Sequence, residues 1–331
     1  MYLKHIGDTK PLSKPYFAEV IKEIVSGADL GCHWVFLVDE KGTKALDVIL
    51  HLGAHRTGST SFQRLLQANR QNLIQNGVAF WGPQVTRNGR FSGLLRATEA
   101  KDRETQRLID RNRGQIAIEM QRLAARGITK LIVSEENMLG TMRANLSAGS
   151  LYPRLEERLD RFARAFGGAV SEVALTIRDY PDYWTSVLAF GATQGLGRPD
   201  PALVSQLATQ PRRWSSVVRG LERVFTKAEV SVFEFDAVKA HPEVMLKRLQ
   251  TKMPPLRAFP GVHNAGPDQS SRAAFFKSLG LKGHGGLAFD QGQTADLRNM
   301  YQRDLDWLSG SSAQGNSTDR PGMVGQRRGV A

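Results

Sequence analysis

One short stretch, GAHRTGST, combines glycines, hydroxyls and a cation in a pattern suited to anion binding. Gly53 and Gly58 have the spacing of a Walker A loop, G-x-x-x-x-G, in which backbone N–H groups converge on a phosphate. Ser59 and Thr60 add hydroxyls at the start of a predicted helix, whose N-terminus favours negative charge. Ser59 occupies the position of the Walker lysine, and the cation of the loop is Arg56. The stretch therefore predicts an anion-binding loop that departs from the Walker pattern.

Further candidate residues follow two later apolar segments. Arg178 ends VALTIR, and Ser186 lies eight residues later on a predicted helix. A guanidinium fork matches phosphate oxygens and a hydroxyl can satisfy another, although Arg178 could equally pair with a nearby carboxylate. The segment KLIVSEE ends in Glu135 and Glu136. A carboxylate there could accept a proton from a reacting hydroxyl, or could simply cap the next helix.

These residues stand at the ends of short apolar segments that are typical of buried parallel strands. The predicted strands are DVILHLG, VAFWG, KLIVSE, EVALTIR and VSVFEF. Helical patterns separate most of them; one lies between residues 101 and 126, and another ends at Gly167, a predicted C-cap. The alternation predicts a three-layer α/β/α domain with a mostly parallel sheet. Because ligands bind at the carboxyl ends of such strands, the candidate residues should share one edge of the sheet.

The 331 residues divide into three zones. Residues 1–46 are an N-terminal extension of unknown role, and residues 47–308 carry the strand–helix alternation. Residues 309–331 are rich in glycine and serine without apolar periodicity, which predicts a disordered tail.

The composition points to an anionic partner and a reducing compartment. Lys and Arg number 45 against 32 Asp and Glu, a net charge of +13. Such a balance favours nucleic acid, a polyanionic sugar, an acidic membrane or a phosphorylated cofactor. The single cysteine, Cys32, excludes an intramolecular disulfide. No apolar run suits a signal peptide or a membrane span, so we expect a soluble, cytoplasmic protein.

The order of loop, glutamate, arginine and serine resembles the sulfotransferases that use 3′-phosphoadenosine 5′-phosphosulfate (PAPS), a family with a P-loop NTPase-like fold. In that family a Lys-x-Gly-Thr-Thr loop binds the 5′-phosphosulfate. Here the matching run begins at Arg56 and continues through Thr57, Gly58, Ser59 and Thr60. The arginine keeps the positive charge of the usual lysine, but it cannot give up a proton.

The resemblance also assigns the other candidates. It implies that Arg178 and Ser186 bind the 3′-phosphate of PAPS, and that Glu136 acts as general base after a Ser-x-Glu motif. Other branches use a histidine, for which His55 is the candidate.

A bacterial C-terminal pattern adds Asn264, Ser270 and Arg272 as possible nucleotide contacts. The resemblance implies no metal and no nucleic-acid partner. The acceptor, a hydroxyl or amine of a carbohydrate, lipid or small molecule, would bind segments such as 82–101 and 191–212.

Two other classes of function remain open. A P-loop kinase or NTPase would use KLIVSEE as a Walker B strand, with Glu135 binding Mg²⁺. A non-catalytic polyanion-binding protein would use the basic region 87–126 and bind in a salt-sensitive manner.

Overall fold

A computed structural model describes residues 2–3, 37–38, 46–96, 102–209, 211–249, 256, 268–312 and 323–328. Most of the predicted N-terminal extension lies outside these ranges. Within it, Tyr2–Leu3 (β1) pairs antiparallel with Leu37–Val38 (β2). No helix in the described ranges combines the length and apolarity needed to cross a bilayer.

Five parallel strands form the centre of the fold, and each coincides with one of the predicted apolar segments. They are β3 (Asp47–His51), β4 (Val78–Trp81), β5 (Lys130–Ser134), β6 (Val170–Ile177) and β7 (Glu229–Glu234). An antiparallel edge strand, β8 (Met323–Arg328), completes the order β4-β5-β3-β6-β7-β8. The chain leaves β3 toward one side of the sheet and later crosses to the other. The loop after β3 therefore lies at a topological switch point, where α/β sheets bind ligands.

Helices connect the strands and follow them. In chain order they are α1 (Ser59–Ala68), α2 (Arg70–Gln75), α3 (Pro83–Val85), α4 (Arg103–Ala125), α5 (Met142–Ala148), α6 (Leu155–Phe166), α7 (Tyr180–Thr193), α8 (Pro201–Ala208), α9 (Trp214–Val224), α10 (Phe235–Val238), α11 (Pro242–Leu249), α12 (Gln269–Ser278) and α13 (Gln291–Ser312). A turn with non-helical backbone angles at Asn88 and Gly89 spans Thr86–Arg90, and a 3₁₀ turn spans Glu136–Met138. Gly167 ends α6 in the left-handed conformation predicted for it.

Both faces of the sheet are covered, which confirms a layered α/β fold with a mostly parallel sheet. Successive residues of β3 alternate between two apolar clusters: Val48 and Leu50 join one, and Ile49 joins the other. The larger cluster contains buried side chains of α4, α6, α7, α9 and α13, and the smaller one contains those of α1, α2 and α11. This alternation follows from the period of two along a strand.

Two segments of the tail predicted from residue 309 carry secondary structure. Helix α13 continues to Ser312, and β8 pairs with β7 from Glu229 to Phe233. Buried Asp304 anchors α13, because its carboxylate accepts hydrogen bonds from the Tyr180 hydroxyl at 2.5 Å and from the Trp214 backbone N–H at 3.1 Å. Sequence periodicity missed β8 because an edge strand draws its stability from the neighbouring strand and needs no apolar pattern of its own.

Candidate functional site

The loop after β3 continues the sheet and then turns into α1. The N–H of Leu52 donates to the carbonyl of Ala174 at 2.9 Å, and that of Ala54 to the carbonyl of Thr176 at 3.1 Å. The chain then adopts left-handed angles at Arg56, with φ of 64°, and at Gly58, with φ of 81°. Such angles curl the backbone into a compact loop and cost energy at a non-glycine residue.

The remaining loop residues support this turn. The hydroxyl of Thr57 donates to the carbonyl of Ala54 at 2.5 Å, closing the loop internally. Gly58 is the N-cap of α1, and no side chain caps the helix there. Ser59 and Thr60 are its first two residues, so the loop leads directly into the positive end of a helix dipole.

Two buried polar atoms converge beside Gly53 without a partner among the described residues. A Cβ at Gly53 would lie 2.4 Å from Ser59 Oγ and 3.2 Å from His51 Nε2, and neither atom has a hydrogen-bond partner there. Burial lowers the pKa of His51 to about 3, so its ring is neutral near pH 7. Glycine is favoured at this position, because a side chain would be strained at a φ of 21° and would force the serine hydroxyl to move.

A chain of hydrogen bonds runs from His51 toward Glu136. His51 Nδ1 lies 2.7 Å from the Ser134 hydroxyl. The Gln63 amide nitrogen lies 3.2 Å from that hydroxyl and 3.3 Å from a carboxylate oxygen of Glu136. If Gln63 donates to Ser134 and Ser134 donates to Nδ1, the proton of His51 resides on Nε2.

Arg56, Arg178 and Ser186 lie together although they are far apart in sequence. Arg56 Nε donates to Ser186 Oγ at 3.1 Å, and Arg178 Nη1 donates to the carbonyl of Arg56 at 3.1 Å. Ser186 thus bonds to the loop arginine, and Arg178 supports the loop backbone. The two predicted phosphate-binding sites form one continuous cluster at the ends of β3 and β6.

Each arginine of the cluster stacks on an aromatic ring. The Arg56 guanidinium lies 4.5 Å from the ring centre of Phe190, and that of Arg178 lies 4.6 Å from the ring centre of Phe235. Stacking fixes a guanidinium while leaving its N–H groups free to bind anions. Neither aromatic residue was predicted from the sequence, because each contact joins distant parts of the chain.

The cluster holds the positive charges of two partly buried guanidinium groups. Burial lowers the pKa of Arg56, and the charge of Arg178 lowers it further. Burial also lowers the pKa of Arg178, whereas Asp182 and Asp236 oppose that shift and Arg272 adds to it. Arginines stay protonated despite such shifts, so the cluster gains stability from an added anion.

The three C-terminal candidates lie in different surroundings. The positive charge of Arg272, on α12, lies near Arg178 and lowers the pKa of Arg178. Ser270 is exposed, and its hydroxyl donates to Asp268, the N-cap of α12, at 2.6 Å. Asn264 lies outside the described residues.

Glu135 and Glu136 have different surroundings, which the sequence could not distinguish. Glu135 is fully buried, and its two oxygens accept from Arg87 at 2.9 and 2.7 Å and from the Thr86 hydroxyl at 2.6 Å. Burial would raise the pKa of Glu135, but the hydrogen bonds from Arg87 and Thr86 outweigh it and lower that pKa. Glu136 is 23% exposed and shares the same arginine at 3.0 Å.

Both oxygens of each carboxylate accept hydrogen bonds, because Glu136 accepts from Arg87 and from Gln63. The two glutamates differ in exposure: Glu135 is fully buried and Glu136 is partly exposed. The sequence offered no signal for the role of Arg87 beyond its place in an arginine-containing segment after β4.

His55 is buried, and hydrogen-bond partners lie near both of its ring nitrogens. Nδ1 lies 3.1 Å from the Tyr152 hydroxyl, which also accepts from the His55 backbone N–H at 3.1 Å. Nε2 lies 3.4 Å from the amide oxygen of Asn137. Burial lowers the pKa of His55, although Glu136 opposes this shift, so the ring is neutral near pH 7.

Comparisons with known proteins add little. No family model matches the chain, and no curated protein matches it. One solved structure, from the PezAT chromosomal toxin-antitoxin system of the human pathogen Streptococcus pneumoniae, aligns with 91% of this chain and 99% of its own. The two are 14% identical and superimpose with a TM-score of 0.24, too low to support any inference about fold or function.

Proposed function

We propose that this chain is a sulfotransferase that moves a sulfonate group from PAPS to the hydroxyl of an acceptor. One observation carries the proposal: Arg56, Arg178 and Ser186 form a single cluster beside a glycine-containing loop at the switch point of a parallel sheet. Two half-buried guanidinium groups, each on an aromatic ring and beside a helix N-terminus, suit a ligand with several phosphate or sulfate groups.

The reaction forms one bond and breaks one bond. The acceptor oxygen attacks the sulfur of the donor, and the bond from that sulfur to the bridging oxygen of the 5′-phosphate breaks. The products are a sulfate ester and adenosine 3′,5′-bisphosphate, and the acceptor proton passes to a base. Phosphoryl transfer is the nearest physical template, in which positioning and charge stabilisation supply most of the catalysis. Arg56 and the loop N–H groups would stabilise the charge that develops on the departing oxygen.

Arg178 would bind the 3′-phosphate that distinguishes this donor from ATP. It is only 14% exposed and already supports the Arg56 carbonyl, so it would couple the 3′ and 5′ ends of the nucleotide. Arg272 would add charge on the same side. Ser186, bonded to Arg56, would orient the loop guanidinium as well as contact a phosphate oxygen.

Glu136 is the favoured general base. It is the more exposed of the two glutamates, and its hydrogen bonds from Arg87 and Gln63 would hold the carboxylate in place. His55 is less suitable because it is buried, with Tyr152 and Asn137 beside its two ring nitrogens.

A kinase or NTPase is the weaker alternative. The Walker lysine position holds Ser59, and Glu135, the carboxylate that would bind Mg²⁺, already pairs through both oxygens with Arg87. Displacing a bidentate arginine from a buried carboxylate leaves charges unpaired and is costly.

Thermal unfolding with nucleotides tests the proposal. We expect adenosine 3′,5′-bisphosphate without Mg²⁺ to stabilise the chain by about 2.7 kcal/mol at 100 times its Kd. ADP at the same concentration should stabilise the chain less. Stabilisation by ATP that requires Mg²⁺ would support the kinase alternative. No response to any nucleotide, with salt-sensitive binding of polyanions, would support a non-catalytic polyanion-binding protein.

A further inference from the structure

A groove lies next to the turn Thr86–Arg90, and Arg87 of the same turn contacts Glu136. The turn follows β4, and residues Leu108 to Arg122 of helix α4 form the other wall of the groove. Thr86 and Arg87 of this turn bind Glu135 and Glu136, whereas the next residues, Asn88 to Arg90, line the groove. Its volume is about 640 Å³, within the range of ligand pockets.

The charge of the groove is positive. Its lining includes Arg90, Arg111 and Arg122 against a single acid, Glu119. Arg90 and Arg122 share that glutamate at 3.9 and 3.3 Å, whereas Arg111 has no ion pair within the described part of the chain. An anionic group would therefore find a free guanidinium at Arg111.

Helix α4 extends the positive surface beyond the groove. Arg103 and Arg107 precede Arg111 at intervals of four residues, so the three side chains lie on one face of the helix. All three are exposed. A ligand longer than the groove would meet further positive charge along this face.

The uncharged part of the lining suits hydroxyl groups. Gln84, Asn88 and Gln115 are exposed side-chain amides that line the groove. An amide offers donors and an acceptor together, which matches the donor and acceptor capacity of sugar hydroxyls. Ile118, 52% exposed, adds a small apolar contact of the kind that a sugar ring face can cover.

Other anionic ligands fit less well. Single-stranded nucleic acid binds through stacking on exposed aromatic rings. Among the described residues that line the groove none is aromatic, and Trp81 is buried beneath the guanidinium of Arg90 at 4.7 Å. A lipid would need a larger apolar surface than Ile118 provides with the partly buried Val85 and Leu108.

We infer that this groove binds an acidic oligosaccharide that continues across the turn at Arg87, so that one of its hydroxyls reaches Glu136. The inference names the acceptor class for the proposed sulfotransferase and rests on that function. A carboxylate or sulfate of the sugar pairs with Arg111, the amides bind its hydroxyls, and Arg87 connects the groove wall to the base. Longer chains extend along Arg103 and Arg107.

Titration calorimetry with two matched sugars tests the inference. The probes are a uronic-acid-containing hexasaccharide and the same hexasaccharide with its carboxyl groups reduced to alcohols. We expect the acidic sugar to bind at least about tenfold more tightly, and Arg111→Ala to remove about tenfold of that affinity. Arg164→Ala, which removes a 68% exposed arginine of α6 outside the groove, is the matched control and should bind as the parent does.

The outcomes separate this inference from the proposed function. Unchanged binding of adenosine 3′,5′-bisphosphate by Arg111→Ala would show that the variant is folded. If the nucleotide binds but neither sugar does, the groove is not a sugar site and the sulfotransferase proposal stands. If the acidic sugar binds through Arg111 but the nucleotide does not, the sugar site stands and the sulfotransferase proposal fails. Equal loss in both arginine variants, or tighter binding of single-stranded DNA at the groove, would overturn the inference.

Discussion

Replacement of Arg178 by alanine separates a contact within the protein from a proposed contact with the nucleotide. In the structure the guanidinium lies 3.7 Å from a carboxylate oxygen of Asp182 and 4.6 Å from the ring centre of Phe235. The same guanidinium supports the Arg56 carbonyl at 3.1 Å, and we propose that it also binds the 3′-phosphate. The affinity for adenosine 3′,5′-bisphosphate should depend on both contacts. Adenosine 5′-phosphosulfate lacks the 3′-phosphate, so its affinity should depend only on the contact with the Arg56 carbonyl.

The expected magnitudes differ for the two ligands. Loss of a hydrogen bond to a neutral carbonyl costs about 0.5–1.5 kcal/mol, so the phosphosulfate should bind Arg178→Ala about 2- to 13-fold more weakly. Loss of a charge-assisted contact to the 3′-phosphate costs about 1.5–3 kcal/mol more. The preference of the protein for the bisphosphate should therefore fall by a further factor of about 10–150.

Two variants sharpen the measurement. Arg178→Lys should recover only part of the loss, because an ammonium group keeps the charge but cannot reproduce the planar fork or its stacking on Phe235. Ser186→Ala should weaken both ligands slightly, since it removes a hydrogen bond to Arg56.

Titration calorimetry on both ligands, with unfolding curves to verify the fold, tests whether Arg178 binds the 3′-phosphate. Equal losses for the two ligands would mean that Arg178 acts only through the Arg56 carbonyl. The assignment of the 3′-phosphate site would then be wrong.

Three further predictions follow from the site. Gly58 and Gly127 have nearly equal φ angles of 81° and 79°, so alanine at either position should lower the free energy of unfolding in urea by about 1–2 kcal/mol. Only Gly58→Ala should also weaken nucleotide binding. Equal nucleotide affinities of the two variants would exclude the loop as the binding site. The pKa of His51 is about 3 in the fold and 6.5 when unfolded, so below pH 6.5 the unfolded state binds the extra proton. Stability should fall with decreasing pH by at most about 1.4 kcal/mol per unit, and His51→Gln should reduce this slope; an unchanged slope would assign the acid sensitivity to other groups. Glu135→Gln should lower the free energy of unfolding by about 1–3 kcal/mol because it disturbs a buried network, whereas Glu136→Gln should keep nucleotide binding and lose turnover by about 10²–10⁴-fold. Normal turnover by that second variant would direct the search for a base elsewhere.

The strands and the loop could be predicted from local patterns. Buried parallel strands carry continuous apolar runs, and a glycine-spaced loop between a strand and a helix is a local signal. All five predicted strands are present, and Gly53 and Gly58 adopt the positive φ angles that the loop requires. The edge strand β8 was missed because it lacks such a run.

The partners of the site residues were decided only by tertiary structure. Glu135 and Glu136 are adjacent in sequence and chemically identical, and Arg87 contacts both. Glu135 is fully buried and also accepts from Thr86, whereas Glu136 is 23% exposed. Ser186 was expected to share a phosphate with Arg178, and in the fold its hydroxyl bonds to Arg56.

Local patterns could not identify these partners, because strand residues alternate in direction and because the contacts join residues that are far apart in sequence. Successive strand residues, and those just after a strand end, point in different directions, so their surroundings depend on which segments pack against them. Contacts such as Arg56 with Ser186 join residues more than a hundred positions apart. Local patterns identified the candidate anion-binding residues and predicted that they share one edge of the sheet. The packing of the turn after β4 against the end of β5, and of α7 against the loop, sets the hydrogen-bond partners that these residues have in the fold.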